Sequence, residues 1–248
     1  NRLIKEGIFT DYANKQTLLE IVRYKSSKVE GLTSLDDYIQ RANEKEGETK
    51  KEIYYIVGED EAILRNSPLL EAYKRADIEV LIMDDKEVDE IVAPAIGEYR
   101  EWKFVDISTV EPPKSQKDEE ELKELEKEFE PLTKKIKETL ADEVKDVKIT
   151  LRLSQSPSCV VPDSSDPMAS MRHMFVQMGQ ELPETPLILE LNPNHKITKK
   201  LLENIDDEEL IKESSWILLD SAKLAEGLEP KDKSTFAKRV ANLLAKTL

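Results

Sequence analysis

Cys159 is the only thiol of the 248-residue chain, and His173 and His195 are its only imidazoles. An imidazole that reaches a thiol activates it as a nucleophile, and neither order nor distance along the chain forbids the meeting. Cys159, however, stands in SCVV (158–161), an apolar run in which a thiol packs as a small hydrophobe. A zinc site needs three or four ligands at recognisable spacing, and one cysteine with two histidines offers no such cluster. Acidic pairs such as Asp36-Asp37 and Asp84-Asp85 carry the charge to hold a cation. In a chain with 52 acidic residues they read as helix caps and solvated surface. Neither G-x-G-x-x-G nor G-x-x-x-x-G-K-[ST] occurs among only seven glycines, so no motif cradles a phosphate. An enzyme built on Cys159 and a histidine is the rival reading to a protein that works through its surfaces.

Met168, Met171, Met174, Phe175 and Met178 fall at helical spacing and line one face of an expected helix. Four of the five methionines share this stripe. Methionine is unbranched and polarizable, so such a face repacks against many partner shapes. The spacing alone does not choose between a contact surface and a packed core.

The composition is 39% apolar and 36% charged, and 52 acidic residues against 37 basic ones give a formal charge of −15. That sign repels nucleic acid and anionic membranes. No apolar run approaches the roughly 18–20 residues that span a bilayer, and the opening NRLIKEGIF lacks the apolar core of a signal peptide. One cysteine fits a reducing compartment, so a cytoplasmic location is expected. The start at Asn1, in what reads as the middle of a fold, is expected of a fragment.

The elements that must position these residues divide at Pro112-Pro113. The expected domains are 1–113 and 114–248. In the first, residues 11–26 read as one packed helix, and Ser34 with Asp36 and Asp37 opens another over 34–46. Residues 47–113 form a small α/β unit. EIYYIVG (52–58) is a strand stopped by glycine, Ser67-Pro68 opens a helix, and IEVLIM (78–83) is a buried strand, which together make a βαβ unit with parallel pairing. A helix follows from about Lys86, with Pro94 arguing for an early end or a kink, and WKFVDI (102–107) is a third strand. KSQKDEEELKELEKEFE reads as a charged linker running into a helix through Leu132, Ile136 and Leu140. VKDVKITLRL (144–153) alternates like a half-buried antiparallel strand, with Lys148, Thr150 and Arg152 on the polar face. SCVV and LILEL (187–191) supply two more strands, and Asn192-Pro193 caps a helix through Leu201 and Leu202. The fold class is α+β / α/β, a small α/β layer followed by a mixed α+β domain.

The last two helices form a hairpin. Leu210, Ile217 and Leu224 repeat every seven residues, with Ser214, Leu218 and Ser221 beside them, and Phe236, Val240, Leu243 and Leu244 stripe the final helix. Two such hairpins make a four-helix bundle, although the pattern equally fits a hairpin packed on its own domain.

YKSSKVEGLTSLDDYIQRANE followed by KEIYYIVGED resembles the stretch S-L-x-D-Y-x-x-R-M-K-E-x-Q-x-x-I-Y-Y-I-T-G-E of the ninety-kilodalton heat-shock chaperones, bacterial members included. LTKKIKETLADEVKDVKITLRLSQSPSCVV, LELNPNH and FAKRVANLL follow in that family's order. Ala42-Asn43-Glu44 stands where the family has M-K-E, and Ser158 stands where eukaryotic members carry the first of two cysteines. The resemblance implies the end of the middle domain (1–113) and the whole C-terminal dimerisation domain (114–248). It implies homodimerisation through the final two helices and client contact through the amphipathic helix over 166–178. A second client contact is implied at Glu90 and Ile91, where isoleucine replaces an aromatic. Further implied are a stress-response chaperone that is ATP-dependent as a whole, with ATP and Mg bound upstream of this fragment, and possible co-chaperone partners. The fragment itself is expected to be no enzyme and to hold no cofactor or metal. A purely structural oligomerisation module is the other alternative.

Overall fold

The computed structural model describes residues 1–44, 50–166 and 186–247, which form two compact units. The first comprises Asn1–Asn66 and Tyr73–Val110. The second takes in Ser67–Ala72 together with 111–166 and 186–247.

In the first unit, helices α1 (Arg2–Thr10) and α2 (Lys15–Ile21) lead into the short strands β1 (Tyr24–Ser26) and β2 (Leu32–Thr33). Then come α3 (Leu35–Asn43), β3 (Glu52–Val57), α4 (Glu61–Arg65), α5 (Leu70–Arg75, which straddles the unit division), β4 (Val80–Met83), α6 (Lys86–Ile96), β5 (Glu98–Tyr99) and β6 (Trp102–Asp106). The six strands form one sheet in the order β2-β1-β4-β3-β6-β5. β3 runs parallel to both β4 and β6, with Tyr54 opposite Val80 on one side and Val105 on the other. All four residues of β4 are buried, as expected of a parallel strand covered on both faces.

The helix expected over 11–26 is corrected. α2 ends at Ile21, where Val22 turns to an extended backbone, and Tyr24 and Ser26 pair with Thr33 and Leu81 as strand. The edge strand β5 pairs antiparallel with β6 where no turn residue in the sequence marks a hairpin. Its two-residue turn, Arg100-Glu101, has positive φ at both positions, the geometry that hairpins usually mark with Asn or Gly. α3 begins as expected, with Ser34 Oγ accepting from the Asp37 N–H at 3.0 Å in a capping box. Pro94 lies inside α6, which nonetheless continues to Ile96 before Gly97 turns the chain at φ 68°.

The second unit is organised on α7 (Gln116–Leu140). The expected linker is therefore helix. Ser115 and Asp118 make a second capping box, and Leu122, Leu125, Phe129, Leu132, Ile136 and Leu140 fall on the face that packs into the core. A 3₁₀ turn (Ala141–Glu143) leads to β7 (Asp146–Ile149), β8 (Ser158–Pro162) and β9 (Leu187–Leu191). They form a sheet in the order β7-β9-β8. β7 pairs with β9 in parallel, not antiparallel, and ends at Ile149. Beyond it Thr150 and Arg152, expected on a polar face, are buried, because Arg152 Nε meets Glu190 Oε2 at 2.7 Å. α8 (Lys196–Glu203) is capped by His195 rather than by Asn192. Asn192 Oδ1 instead accepts from the Asn194 N–H at 3.0 Å in a turn just before the helix. α9 (Glu208–Ala225) and α10 (Lys233–Thr247) close the chain as a hairpin.

Candidate interaction surfaces

Met168, Met171, Met174, Phe175 and Met178, the main expected client-binding residues, lie outside the described residues, as does His173. The second expected contact, Glu90 and Ile91, is placed on α6. Glu90 is exposed and Ile91 half-buried, while Val88, Asp89, Val92 and Ala93 beside them are buried against the core of the first unit. Glu90 lines an open groove of about 600 Å³ with Arg2, Glu59, Asp84, Asp85, Lys86 and Glu87. The groove follows the carboxyl ends of the parallel strands β3 and β4, where loops of an α/β layer converge. Arg2 contacts Asp85 at 3.3 Å and Glu87 at 2.9 Å, and Lys86 contacts Glu59 at 3.2 Å. Five carboxylates against two cations leave it electronegative. Sequence reading found Asp84-Asp85 and Glu90 but missed Arg2, Glu59 and Glu87, which only folding gathers.

The terminal hairpin spends part of its expected interface on its own domain. Ser214 and Leu218 are buried, with Leu218 inside the core of the second unit and Leu210 half-buried against it. Ile217 and Ser221 are half-buried, while Leu224 is 44% exposed. On α10, Phe236, Val240 and Leu243 are half-buried and Leu244 is 56% exposed. The apolar line left outward on the hairpin thus includes Leu224 and Leu244. Arg239 joins the two helices, its Nε 3.4 Å from Glu213 and its guanidinium carbon 4.9 Å from the Trp216 ring centre.

Cys159 has no access to a substrate, being fully buried, and burial together with the Glu190 carboxylate pushes its thiol well above the ordinary range. That is the opposite of an activated nucleophile. His195 uses Nδ1 to accept from the Ile197 N–H at 3.2 Å, so this ring serves as a helix cap. Among the described residues no group of three or more His, Cys, Asp or Glu is placed to hold a metal ion, and no helix is long and apolar enough to cross a membrane.

A family model described as Hsp90 protein matches residues 1–248. The chaperone protein HtpG of Sulfurovum sp. (strain NBC37-1) is 66% identical over 248 residues, which cover 100% of this chain and 39% of that protein. HtpG of Aliarcobacter butzleri (strain RM4018) is 56% identical over 250 residues, covering 100% of this chain and 38% of that one. HtpG of Campylobacter jejuni is 42% identical over 246 residues, covering 99% and 38%. The chain therefore spans about two-fifths of the length of these relatives, 39% in the first case.

Proposed function

The chain belongs to the Hsp90 family, and from that membership we propose that it is the dimerising, client-binding part of an ATP-driven molecular chaperone of the cytoplasm. The observation that carries the reading is the match of the family model to the whole chain. On this reading ATP and Mg belong to the remainder of the longer protein, and this part acts by surface complementarity and catalyses no reaction of its own. Its partners are a second copy of itself, non-native client proteins and co-chaperones.

Three features support the assignment. The methionine-rich segment with Met168, Met171, Met174, Phe175 and Met178 has adaptable side chains, and burying one Met or Phe is worth about 1.5–3 kcal/mol. The electronegative groove beside Glu90 suits basic segments of a non-native chain. The outward Leu224 and Leu244 supply apolar surface for a second hairpin.

Ile217→Glu with Leu244→Glu should give a folded monomer in sedimentation, and an unchanged dimer mass would remove the hairpin assignment. Serine at Met171, Met174 and Phe175 together should weaken capture of an unfolded model protein while circular dichroism stays unchanged. Retained capture would take the client contact away from these three residues, and no capture by the unaltered chain would leave a structural oligomerisation module as the better description.

A further inference from the structure

The loop 154–156 between β7 and β8 directs five hydrogen-bond donors at one carboxylate. Glu71 Oε2 accepts from the backbone N–H of Ser154, from that of Gln155 at 2.8 Å and from Ser154 Oγ at 3.1 Å. Glu71 Oε1 accepts from the backbone N–H of Ser156 at 3.1 Å and from Ser156 Oγ at 2.6 Å. Successive backbone N–H groups that converge on one point form a concave nest, a shape that binds anions without any cationic side chain.

Glu71 is not the only residue that holds the loop. Asn192, buried at the end of β9, donates through Nδ2 to the Ser156 carbonyl at 3.0 Å and through its backbone N–H to the Pro157 carbonyl at 2.9 Å. These bonds anchor the C-terminal end of the loop, at Ser156 and Pro157, to the end of β9 through atoms other than the donors that Glu71 meets. Glu71 occupies them from the first turn of α5, in a segment otherwise fixed by the buried Ser67, Leu69 and Leu70. Ser154 and Gln155 are exposed, so solvent reaches the nest.

We propose that loop 154–156 is an oxyanion receptor whose built-in, displaceable ligand is Glu71. A phosphate or carboxylate group on a partner offers the same acceptor oxygens and competes for the same five donors. The tether gives Glu71 a high effective concentration, so the site reads as closed until Glu71 leaves or a stronger oxyanion arrives. The proposal is independent of chaperone activity, since it concerns only this loop and its occupant.

Glu71→Ala opens the test. Amide shifts of Ser154, Gln155 and Ser156 are followed by NMR while inorganic phosphate, or separately acetate, is added at constant ionic strength. In the variant these amides should shift saturably, with an apparent affinity at least about tenfold above wild type, because the competing internal ligand is gone. Saturation by phosphate alone assigns the site to phosphate groups, and saturation by acetate assigns it to carboxylates. No saturable shift in the variant overturns the proposal, and so does equal binding by wild type and variant. Should Glu71→Ala fail to fold, Glu71→Asp, which retracts the carboxylate by one methylene, carries the same comparison.

Discussion

Lys5 Nζ sits 2.7 Å from Asp89 Oδ2, with both side chains buried between α1 and α6. The same oxygen accepts from the Asp85 N–H at 3.2 Å, and the ammonium lies 5.2 Å from the Tyr24 ring centre. Glu90 and Ile91 follow directly on α6, so this pair fixes the pose of the second candidate client contact. Burial holds the Asp89 carboxyl above its ordinary range even though the Lys5 bond works the other way.

Lys5→Met strands that carboxylate and should cost about 3–5 kcal/mol in urea unfolding at neutral pH. The deficit should narrow as pH falls, because a proton then replaces the lost ammonium in the folded state. Lys5→Met with Asp89→Leu should recover most of the loss. A double variant no more stable than the single one would show that the pair does more than cancel charge.

Tyr38 joins α3 to two strands. Its hydroxyl donates to the Glu79 carbonyl at 2.9 Å and accepts from the Tyr54 N–H at 3.1 Å, both in buried surroundings. Tyr38→Phe keeps the ring packing and removes both bonds, for an expected loss of about 1–3 kcal/mol from buried backbone groups left without this partner. Chemical denaturation reads it directly, and a change below about 0.5 kcal/mol, within the scatter of ordinary surface substitutions, would mean that other partners take over.

Glu226, just past the end of α9, accepts from Ser67 Oγ at 2.9 Å on each carboxylate oxygen, and burial pushes its carboxyl up to about 8. Arg152 and the Leu69 N–H pull it down but do not prevail. The folded state therefore keeps a proton that the unfolded chain, titrating near pH 4.3, has released. Stability should fall as pH rises from about 4.3 to about 8 and then level off. Glu226→Gln should flatten that part of the profile in thermal unfolding across pH. A slope that survives the substitution would assign it to other carboxyls.

The chain advertised some of this and hid the rest for physical reasons. IEVLIM and EIYYIVG were legible because a parallel strand buried on both faces is apolar throughout, and Ser34 with Asp37 is a capping box readable by spacing. α7 was half hidden, since its apolar residues recur every three or four places in a stretch otherwise made of lysine and glutamate. β5 could not be seen, because Arg100-Glu101 adopts a hairpin turn without the residues that signal one. Arg152 misled most, since alternation assigned it to solvent and only the later Glu190 explains its burial. The groove beside Glu90 and the nest around Glu71 bring together residues from distant segments, and no local pattern records such meetings.

The hairpin itself offers a sharper test of how α10 is held. Arg239 stacks on Trp216 and reaches Glu213, one contact of each kind between helices that otherwise meet through half-buried apolar side chains. A cation over an indole at a partly exposed site contributes about 0.5–1 kcal/mol, and the ion pair less. Arg239→Ala should therefore leave the core of the second unit intact, shift Trp216 emission to the red and speed amide exchange along α10 several-fold. Arg239→Lys keeps the charge but loses the planar stacking, so it should fall between the two. If α10 exchanges no faster in Arg239→Ala, its docking rests on Phe236, Val240 and Leu243 instead. The outward line of Leu224 and Leu244 would then be set by apolar packing alone.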